Sequence, residues 1–489
     1  MKHLIVALAL ALVPANAACP AQNLKQISSG GITVSYPDGL DAQAKKVMAI
    51  AQSTIKPSVD VHRQIMSLLA NPDAMADDIT RMLGTEEKKD LVKTRLASYA
   101  TRSAVLVAAF SNLRLVRKAS AVATSGIDGG AMQLRYSKEK DEFNVAFDDT
   151  DASPDKLKNS FFPVIVNPDG TIRSEAKLGE IALDFLGSGG ALAIAPVHDT
   201  VSYLIADSLK IYHPLARWFN EGISGYVTRQ IVAKYAPKLV PVANSLFAVS
   251  DESQKLRDKV NLYSWPQSAY LIKDPQEFDA KMETARTQFA IELVTNLLAK
   301  AGPQALSKIM GNLVYIGNPD TEAICAAIQK VTGIDFKSTL ISYVPEEVRK
   351  GMASGEAARL VAQAEQQVKV KKWEDAAASL RQALEMTPDD VNARLNLAWI
   401  EREFGRRKDS ELQVFLLAAL LKQQPYKFSV FVPAIEANYV MGRLAILMGN
   451  LQAAKQFLEP VLAYKPDHAD AKRAMEEVRK LEEAAKGTK

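Results

Sequence analysis

The stretch that decides the fold reads Val197-His198-Asp199-Thr200-Val201-Ser202-Tyr203-Leu204-Ile205. From Val201 to Leu209 the apolar residues keep the spacing of a helix. We predict that this helix starts near Val197, the first residue of the quoted stretch. Residues four apart share one face of a helix, so the side chains of His198 and Ser202 lie one turn apart. The stretch therefore predicts a helix that presents a histidine, an aspartate and a serine near its amino end.

A second predicted helix follows and opens with the phrase Trp218-Phe219-Asn220-Glu221-Gly222, so that 18 residues separate Ser202 from Glu221. Together the two segments resemble the gluzincin zinc peptidases, the thermolysin- and aminopeptidase-like clan. The pattern of that family is HExxH, 18 further residues, and a glutamate within a Trp-x-Asn-Glu-Gly phrase. Two histidines one turn apart and a carboxylate from the next helix make a three-ligand zinc site with an open position for water.

Carried over to this chain, the resemblance implies that His198 is the first metal ligand and Glu221 the third. Ser202 stands where the second histidine belongs, and a neutral hydroxyl is a poor zinc ligand. Asp199 stands at the general-base position and is one methylene shorter than glutamate, which retracts the carboxylate by about 1 Å. The nearest other histidine, His213, is at the far end of the predicted helix, where we do not expect it to replace the missing ligand. Because zinc affinity depends on a closed ligand shell, we expect no cofactor, with zinc as the alternative.

The resemblance extends over roughly residues 190–345, since apolar helical segments at 289–298, 301–313 and 321–344 look like the C-terminal helical subdomain of these peptidases. Upstream, residues 30–36 alternate like a strand, and a helical stretch is predicted to continue to about Ala123. Alternating residues at 132–136 and 143–147 predict a hairpin. We therefore predict an α+β, mostly helical fold: a zincin-like domain with a small antiparallel sheet and a helical subdomain.

The amino-terminal residues predict an exported protein. A basic start, an apolar run from Leu4 to Val13 and the sequence Pro14-Ala15-Asn16-Ala17 are typical of a cleaved signal peptide at 1–17. Cys19 follows at once; lipidation is the alternative, but Asn16 stands where a lipobox has an aliphatic residue. In an oxidising compartment the only two cysteines, Cys19 and Cys325, become candidates for a disulfide.

The composition excludes several classes of protein. The 60 basic and 56 acidic residues are interspersed and leave a net charge of +4, which is no electrostatic footprint for nucleic acid. The most apolar later stretch, Ala104–Phe110, is short and flanked by arginines, so we predict no transmembrane segment. We divide the chain into a signal peptide (1–17), an N-terminal α+β part of the zincin-like domain (18–190), its core helices and helical subdomain (191–350), and helical repeats (351–489).

The last region is self-similar. Pro388 and Pro466 are 78 residues apart, which is two units of 34 plus about ten, and each follows a segment with the small and large packing residues of a tetratricopeptide repeat. These residues are Ala376, Leu380 and Ala383 before the first proline; Leu397, Ala398 and Gly405 in the middle unit; and Gly442, Gly449, Ala454 and Leu458 before the second. The region resembles a short array of three tetratricopeptide repeats with an enlarged middle unit, and an ordinary helical bundle is the alternative.

Arrays of this family bind peptides or proteins, so the resemblance implies a protein or peptide partner. We assign Trp373, Trp399 and Phe415 to the core rather than to ligand contacts. The sequence as a whole predicts an exported, periplasmic or secreted binding or assembly protein with an inactive peptidase-like domain. The rival prediction is a zinc-dependent metallopeptidase in which Asp199 is the base and the ligand set is non-standard.

Overall fold

The computed structural model describes residues 24–118, 126–128, 132–137, 142–147, 153–173, 178, 180, 187, 189–209, 216–265, 279–314, 316, 319–421 and 435–487. The predicted signal peptide, Cys19 and His213 lie outside these residues. Two compact units are present. The first comprises Met1–Arg81, Thr85–Val201 and Val227–Leu246, and the second comprises Met82–Gly84, Ser202–Tyr226 and Phe247–Lys489.

A four-stranded mixed sheet lies in the first unit. Strands β1 (Lys25–Ser29), β2 (Ile32–Tyr36) and β3 (Asn112–Arg117) are followed in the sheet by the strand Phe162–Val166, which is β7 of the chain. β1 and β2 are antiparallel, whereas β2–β3 and β3–β7 are parallel. The prediction of a small antiparallel sheet is therefore wrong for this sheet, because long crossovers return the chain in the same direction, a helical one from β2 to β3 and one that contains three further strands and a short helix from β3 to β7.

Four helices connect β2 to β3. They are α1 (Asp41–Ile50), α2 (Lys56–Leu68), α3 (Pro72–Leu83) and α4 (Lys89–Ser111). Three of them, α1, α2 and α4, contribute residues to the core under the sheet. The core of this unit is built from β2, β3, β7 and the inner helix faces, and the Phe110 and Phe162 rings stack within it at 4.5 Å. Burying this apolar face supplies the driving force for the unit.

The end of α4 corrects the prediction of helix as far as Ala123. The helix ends at Ser111, and the next six residues form β3, in which Leu113 and Leu115 are buried and their neighbours are more exposed. Such alternation matches the period of a strand rather than that of a helix. The parallel pairing with β2 and β7 holds this segment in the extended form.

The predicted hairpin is confirmed. Strand β4 (Gly126–Asp128) pairs antiparallel with β5 (Met132–Ser137), and β5 pairs antiparallel with β6 (Glu142–Phe147). A short helix α5 (Pro154–Asn159) precedes β7, and Ser153 caps it by accepting the Lys156 N–H. The α+β, mostly helical class is thus observed.

Helix α6 runs from Ala191 to Leu209, so it begins six residues before the predicted start at Val197. The helix follows Gly189 and Gly190 without a break, since Leu192 and Ala193 donate their N–H groups to the carbonyls of these two glycines. Pro196 lies in the second turn of this helix, where it removes a single internal hydrogen bond.

Further helices complete the chain up to residue 354. They are α7 (Arg217–Tyr235), α8 (Val240–Phe247), α9 (Asp251–Gln254), α10 (Ala280–Ala301), α11 (Ala305–Val314), α12 (Thr321–Thr332), α13 (Phe336–Ile341) and α14 (Glu346–Ser354). Within the part of the chain that the structure describes, none of the helices combines the length and apolar character required to cross a bilayer.

Three helix pairs and a final helix are described between residues 356 and 487, apart from 422–434. The pairs are α15 (Glu356–Lys369) with α16 (Trp373–Met386), α17 (Val391–Glu403) with α18 (Arg407–Leu421), and α19 (Ile435–Leu447) with α20 (Leu451–Tyr464); α21 (Ala469–Gly487) follows. Two apolar clusters run through the pairs and the final helix.

The turn inside each pair has the same backbone geometry. Lys371, Gly405 and Gly449 have φ values of 61°, 69° and 73°, and 34 and 44 residues separate them. In each turn this residue donates its N–H to the carbonyl three residues earlier, and the next residue donates to the carbonyl five residues earlier. This is the Schellman arrangement, which ends a helix at a left-handed residue. The turns therefore define a true internal repeat.

Small residues recur at the same offsets. Ala364, Ala398 and Gly442 are buried on the first helix of the three pairs, and Ala376, Ser410 and Ala454 are buried on the second. A Cβ on Gly442 would lie 2.6 Å from the Leu458 side chain, so the third pair packs too closely for any other residue without a shift. Small residues in these places let the two helices approach each other.

Candidate functional site

The residues at the predicted zinc-ligand positions lie on α6 and α7. His198 and Asp199 belong to the first unit, whereas Ser202 and Glu221 belong to the second. Ser202 is one turn beyond His198 on α6, as predicted. Among the described residues there is no group of three histidine, cysteine, aspartate or glutamate side chains arranged to hold a metal ion.

Asp199 is held by neighbours in its own unit. The Tyr99 hydroxyl of α4 donates to Asp199 Oδ2 at 3.5 Å, and His198 Nδ1 lies 3.9 Å from Asp199 Oδ1. Burial, aided by the negative charge of Asp199, raises the pKa of Tyr99. One third of the Asp199 side chain is exposed, so its carboxylate faces solvent on one side and these two groups on the other.

Glu221 faces a cation. Arg217, one turn earlier on α7, places Nε 3.5 Å from Glu221 Oε1 and Nη1 2.9 Å from Glu283 Oε2. The guanidinium also lies 4.4 Å from the centre of the Trp265 ring, and the Trp265 indole donates to Glu283 at 3.2 Å. Arg286 pairs with the same glutamate at 2.7 Å. The Glu221 carboxylate thus belongs to a buried charge cluster that an arginine organises.

This chemistry does not fit a three-ligand zinc centre. A guanidinium 3.5 Å from Glu221 competes electrostatically with a metal cation for the same carboxylate. Ser202 offers only a neutral hydroxyl.

The glycine that follows Glu221 has a packing role. A Cβ on Gly222 would lie 2.7 Å from the Ala290 carbonyl oxygen, and one on Gly225 would lie 2.2 Å from Ile291 Cδ1. α7 therefore approaches α10 through two glycines. This helix contact therefore explains Gly222, one residue of the Trp218–Gly222 phrase on which the resemblance to gluzincins rests.

The disulfide candidate Cys325 is buried on α12, and its predicted partner lies outside the described residues. Burial, with a smaller effect of the charge on Glu322, raises the pKa of the Cys325 thiol to about 12. As a thiol it is therefore a weak nucleophile at neutral pH.

A second candidate site lies among the repeats. A cavity of about 330 Å³ opens between α17, α18, α19 and α21. Its lining consists mainly of charged and aromatic side chains: Arg402, Arg407, Lys408, Glu411, Phe415, Tyr439, Arg443, Asp470, Arg473, Ala474 and Glu477. Five cations thus meet three carboxylates on its wall.

Arg402 is the centre of this lining. Its side chain is 5% exposed and pairs with Glu436 at 2.9 Å and with Asp470. The guanidinium carbon lies 4.2 Å from the centre of the Tyr439 ring. A buried arginine joins α17, α19 and α21 through these contacts, and its planar fork is well suited to two carboxylates.

Asp470 is shared among three guanidiniums. Arg402 and Arg473 contact it directly, and Arg407 Nε lies 3.3 Å from Asp470 Oδ2. Burial opposes its ionisation, but the hydrogen bonds from Arg402 and Arg473 outweigh burial and lower the pKa of Asp470 to about 2. Asp470 therefore stays ionised throughout the physiological range.

His468 holds Glu436, the second carboxylate partner of Arg402, in place. Its Nδ1 accepts the backbone N–H of Ala471 at 3.1 Å and caps α21, so the ring proton is on Nε2 and is donated to Glu436 at 3.1 Å. Asp390 caps α17 in the same way, and each cap follows a proline by two residues. His468 also stacks on Tyr439 at 5.4 Å, which fixes this wall of the cavity.

No protein-family model, curated protein or solved structure matches the chain.

The assignment of aromatic residues to the core is confirmed for Trp399, which is 2% exposed, and Trp373 packs against it at 5.4 Å. Phe415 instead lines the cavity and is half-buried. Sequence reasoning missed the cavity because Arg402 and Asp470 are 68 residues apart. The alignment of Pro388 with Pro466 pairs Asp470 with Asn392 rather than with Arg402, so the repeat offset gave no signal for this contact.

Proposed function

We propose that this chain is an exported binding or assembly protein of the cell envelope, built on an inactive gluzincin-like domain joined to an array of tetratricopeptide repeats. The observation that carries the proposal is the internal repeat at residues 356–487, with turns spaced by 34 and 44 residues. The 34-residue unit of paired helices, with small residues at the helix contact, is the unit of that family.

The repeats support a binding role. Stacked helix pairs expose a surface that one partner can contact over several units. The cavity next to α21 offers both charged and aromatic side chains, which suit a peptide better than a small apolar ligand. A partner protein with an extended segment is therefore the ligand that we propose.

The residues at the positions of the zinc motif support the proposal that this domain is not catalytic. Ser202 replaces a ligand, Asp199 is shorter than the usual base, and Glu221 faces Arg217. Each of these differences lowers either metal affinity or the reach of the base. The predicted signal peptide at residues 1–17 supports export to the envelope.

Metal analysis of the purified full chain separates this proposal from the zinc-peptidase alternative. We expect far less than one zinc per chain, with the same low content in His198→Ala. Stoichiometric zinc that disappears in His198→Ala would overturn the non-catalytic part of the proposal.

Binding by the array is tested separately with a displayed library of random peptides. We expect selected peptides to cross-link to a photoreactive residue at position 408, which lines the cavity, and not to one at Lys480, an exposed lysine on α21 that does not line it. The binding proposal fails when no peptide is enriched, or when both positions cross-link equally.

A further inference from the structure

We infer that the cavity between α17, α18, α19 and α21 binds an acidic segment of a partner protein, by receiving a carboxylate of that segment next to an apolar side chain. The inference rests on the proposed peptide-binding function and adds the chemical class of the ligand.

The cavity has a surplus of cations at one end. Arg402, Arg407 and Arg473 all contact a single carboxylate, that of Asp470, which is 7% exposed. A carboxylate cannot saturate the donors of three guanidiniums, since each guanidinium carries five N–H groups. An incoming anion would accept the remaining donors.

Two of these arginines are accessible to a ligand. The side chain of Arg407 is 61% exposed and that of Arg473 is 74% exposed, whereas that of Arg402 is 5% exposed. Lys408 adds a further exposed cation to the same lining. The rim is thus positive, and Arg402 beneath it is held in place by its carboxylate partners.

An apolar contact is available beside the cations. Phe415 and Tyr439 line the cavity, and Tyr439 is fixed between Arg402, at 4.2 Å, and the stacked ring of His468. An aliphatic or aromatic side chain next to the ligand carboxylate would pack against the half-buried Phe415, because Tyr439 is only 4% exposed. Little conformational freedom would be lost by the protein, because ion pairs and stacking already hold these groups.

The same lining disfavours a polyphosphate chain. Glu411 and Glu477 also line the cavity, one turn beyond Arg407 and Arg473 on α18 and α21, and Arg443 is paired to both. A ligand of continuous negative charge would meet these carboxylates, whereas a peptide can place its acidic and apolar side chains separately. The interspersed charges of the whole chain give no basic stripe for nucleic acid.

The test uses the full chain and two fluorescein-labelled peptides, one of alternating glutamate and leucine and one in which glutamine replaces glutamate. Fluorescence anisotropy should show tighter binding of the glutamate peptide and a loss of this preference at high salt. Arg407→Gln and Arg473→Gln should each weaken binding about threefold, the size expected for exposed charge contacts.

Arg479→Gln is the matched control, because Arg479 is 64% exposed on the same helix, pairs with an acidic residue three positions away like Arg473, and does not line the cavity. We expect it to bind the glutamate peptide like the wild type. Unfolding curves of all variants check that the array stays folded.

Equal binding of the two peptides would overturn the inference, as would equal losses in Arg473→Gln and Arg479→Gln. Displacement of the glutamate peptide by single-stranded DNA at lower concentration than by unlabelled peptide would assign the cavity to nucleic acid instead. Library peptides that cross-link at position 408 but are neutral and insensitive to Arg407→Gln leave the proposed function standing and refute only the acidic ligand. No binding of any peptide refutes both.

Discussion

Lys371 is the residue that departs from the repeat. It occupies the left-handed position that Gly405 and Gly449 occupy in the other two turns, and it is the single non-glycine residue with positive φ in the described chain. A side chain in this conformation costs about 1 kcal/mol relative to glycine. The hydrogen bonds of the turn hold it there nevertheless.

We therefore predict that Lys371→Gly raises the free energy of unfolding of the array by up to about 1 kcal/mol. Urea denaturation followed by circular dichroism measures the change. Lys372→Gly is the control, because Lys372 has φ of −87° and gains nothing from glycine. The reverse change Gly405→Lys should be destabilising by a similar amount, and a stabilised Gly405→Lys would contradict the explanation.

Asp470 gives a prediction about pH. Its folded-state pKa of about 2 is below the ordinary value of about 3.9. A lowered carboxyl pKa contributes stability that is fully present above the unfolded-state value and is lost as the pH falls from about 4 towards 2.

Asp470→Asn should therefore be less stable than the wild type by about 2 kcal/mol at pH 6, and the difference should shrink below about pH 4. Denaturation midpoints at a series of pH values measure it. Asp467→Asn, at an exposed position in the preceding loop, is the control and should show no such narrowing. A difference that stays constant down to pH 3 would mean that the ion pairs of Asp470 contribute no stability.

At the scale of elements, the third helix pair is limited by one close contact. The Cβ of an alanine at Gly442 on α19 would lie 2.6 Å from Cγ and Cδ2 of Leu458 on α20. The equivalent first-helix positions of the other pairs, Ala364 and Ala398, carry alanine. The helices of the third pair are therefore expected to approach more closely than those of the other two.

Gly442→Ala should lower the free energy of unfolding by about 1–2 kcal/mol, because overpacking outweighs the helix propensity gained. Gly311→Ala on α11 is the matched control, since nothing lies within 4 Å of its Cβ position. That change should be stabilising by up to about 1 kcal/mol. If both alanines were stabilising, the close approach of α19 and α20 would be refuted.

At the scale of the whole molecule, the resemblance to zinc peptidases makes its own prediction. Restoring both missing groups, with Ser202→His and Asp199→Glu, should make zinc binding tighter than in the wild type. Equilibrium dialysis with zinc measures it. Tyr203→His with Asp199→Glu is the control, because residue 203 is exposed and points away from the face of His198. Zinc binding by neither folded double variant, or by both, would count against the resemblance.

Much of the fold could be predicted from local patterns. The strand β2, the hairpin β5–β6 and the repeated helix pairs follow from alternation, helical spacing and the two prolines 78 residues apart. Residues 112–117 were mispredicted because a strand of six residues after a long helix looks like its continuation until its parallel partners are known. The parallel direction of β3 relative to β2 and β7 could not be predicted for the same reason, since it depends on which strands pair.

The candidate sites also combine features that the sequence determines with features that only the tertiary structure decides. The sequence by itself determined the α+β class, the internal repeat, and the positions Ser202 and Asp199, which depart from the zinc-peptidase pattern that His198 and Glu221 match, because these depend on residue type and spacing along one chain. Only the tertiary structure brought Arg402 and Arg407 from α17 and α18 to Asp470 on α21, and Glu283 of α10 to Arg217. Electrostatic interactions depend on distance in space, and in the cavity that distance is set by how α17, α18 and α21 pack.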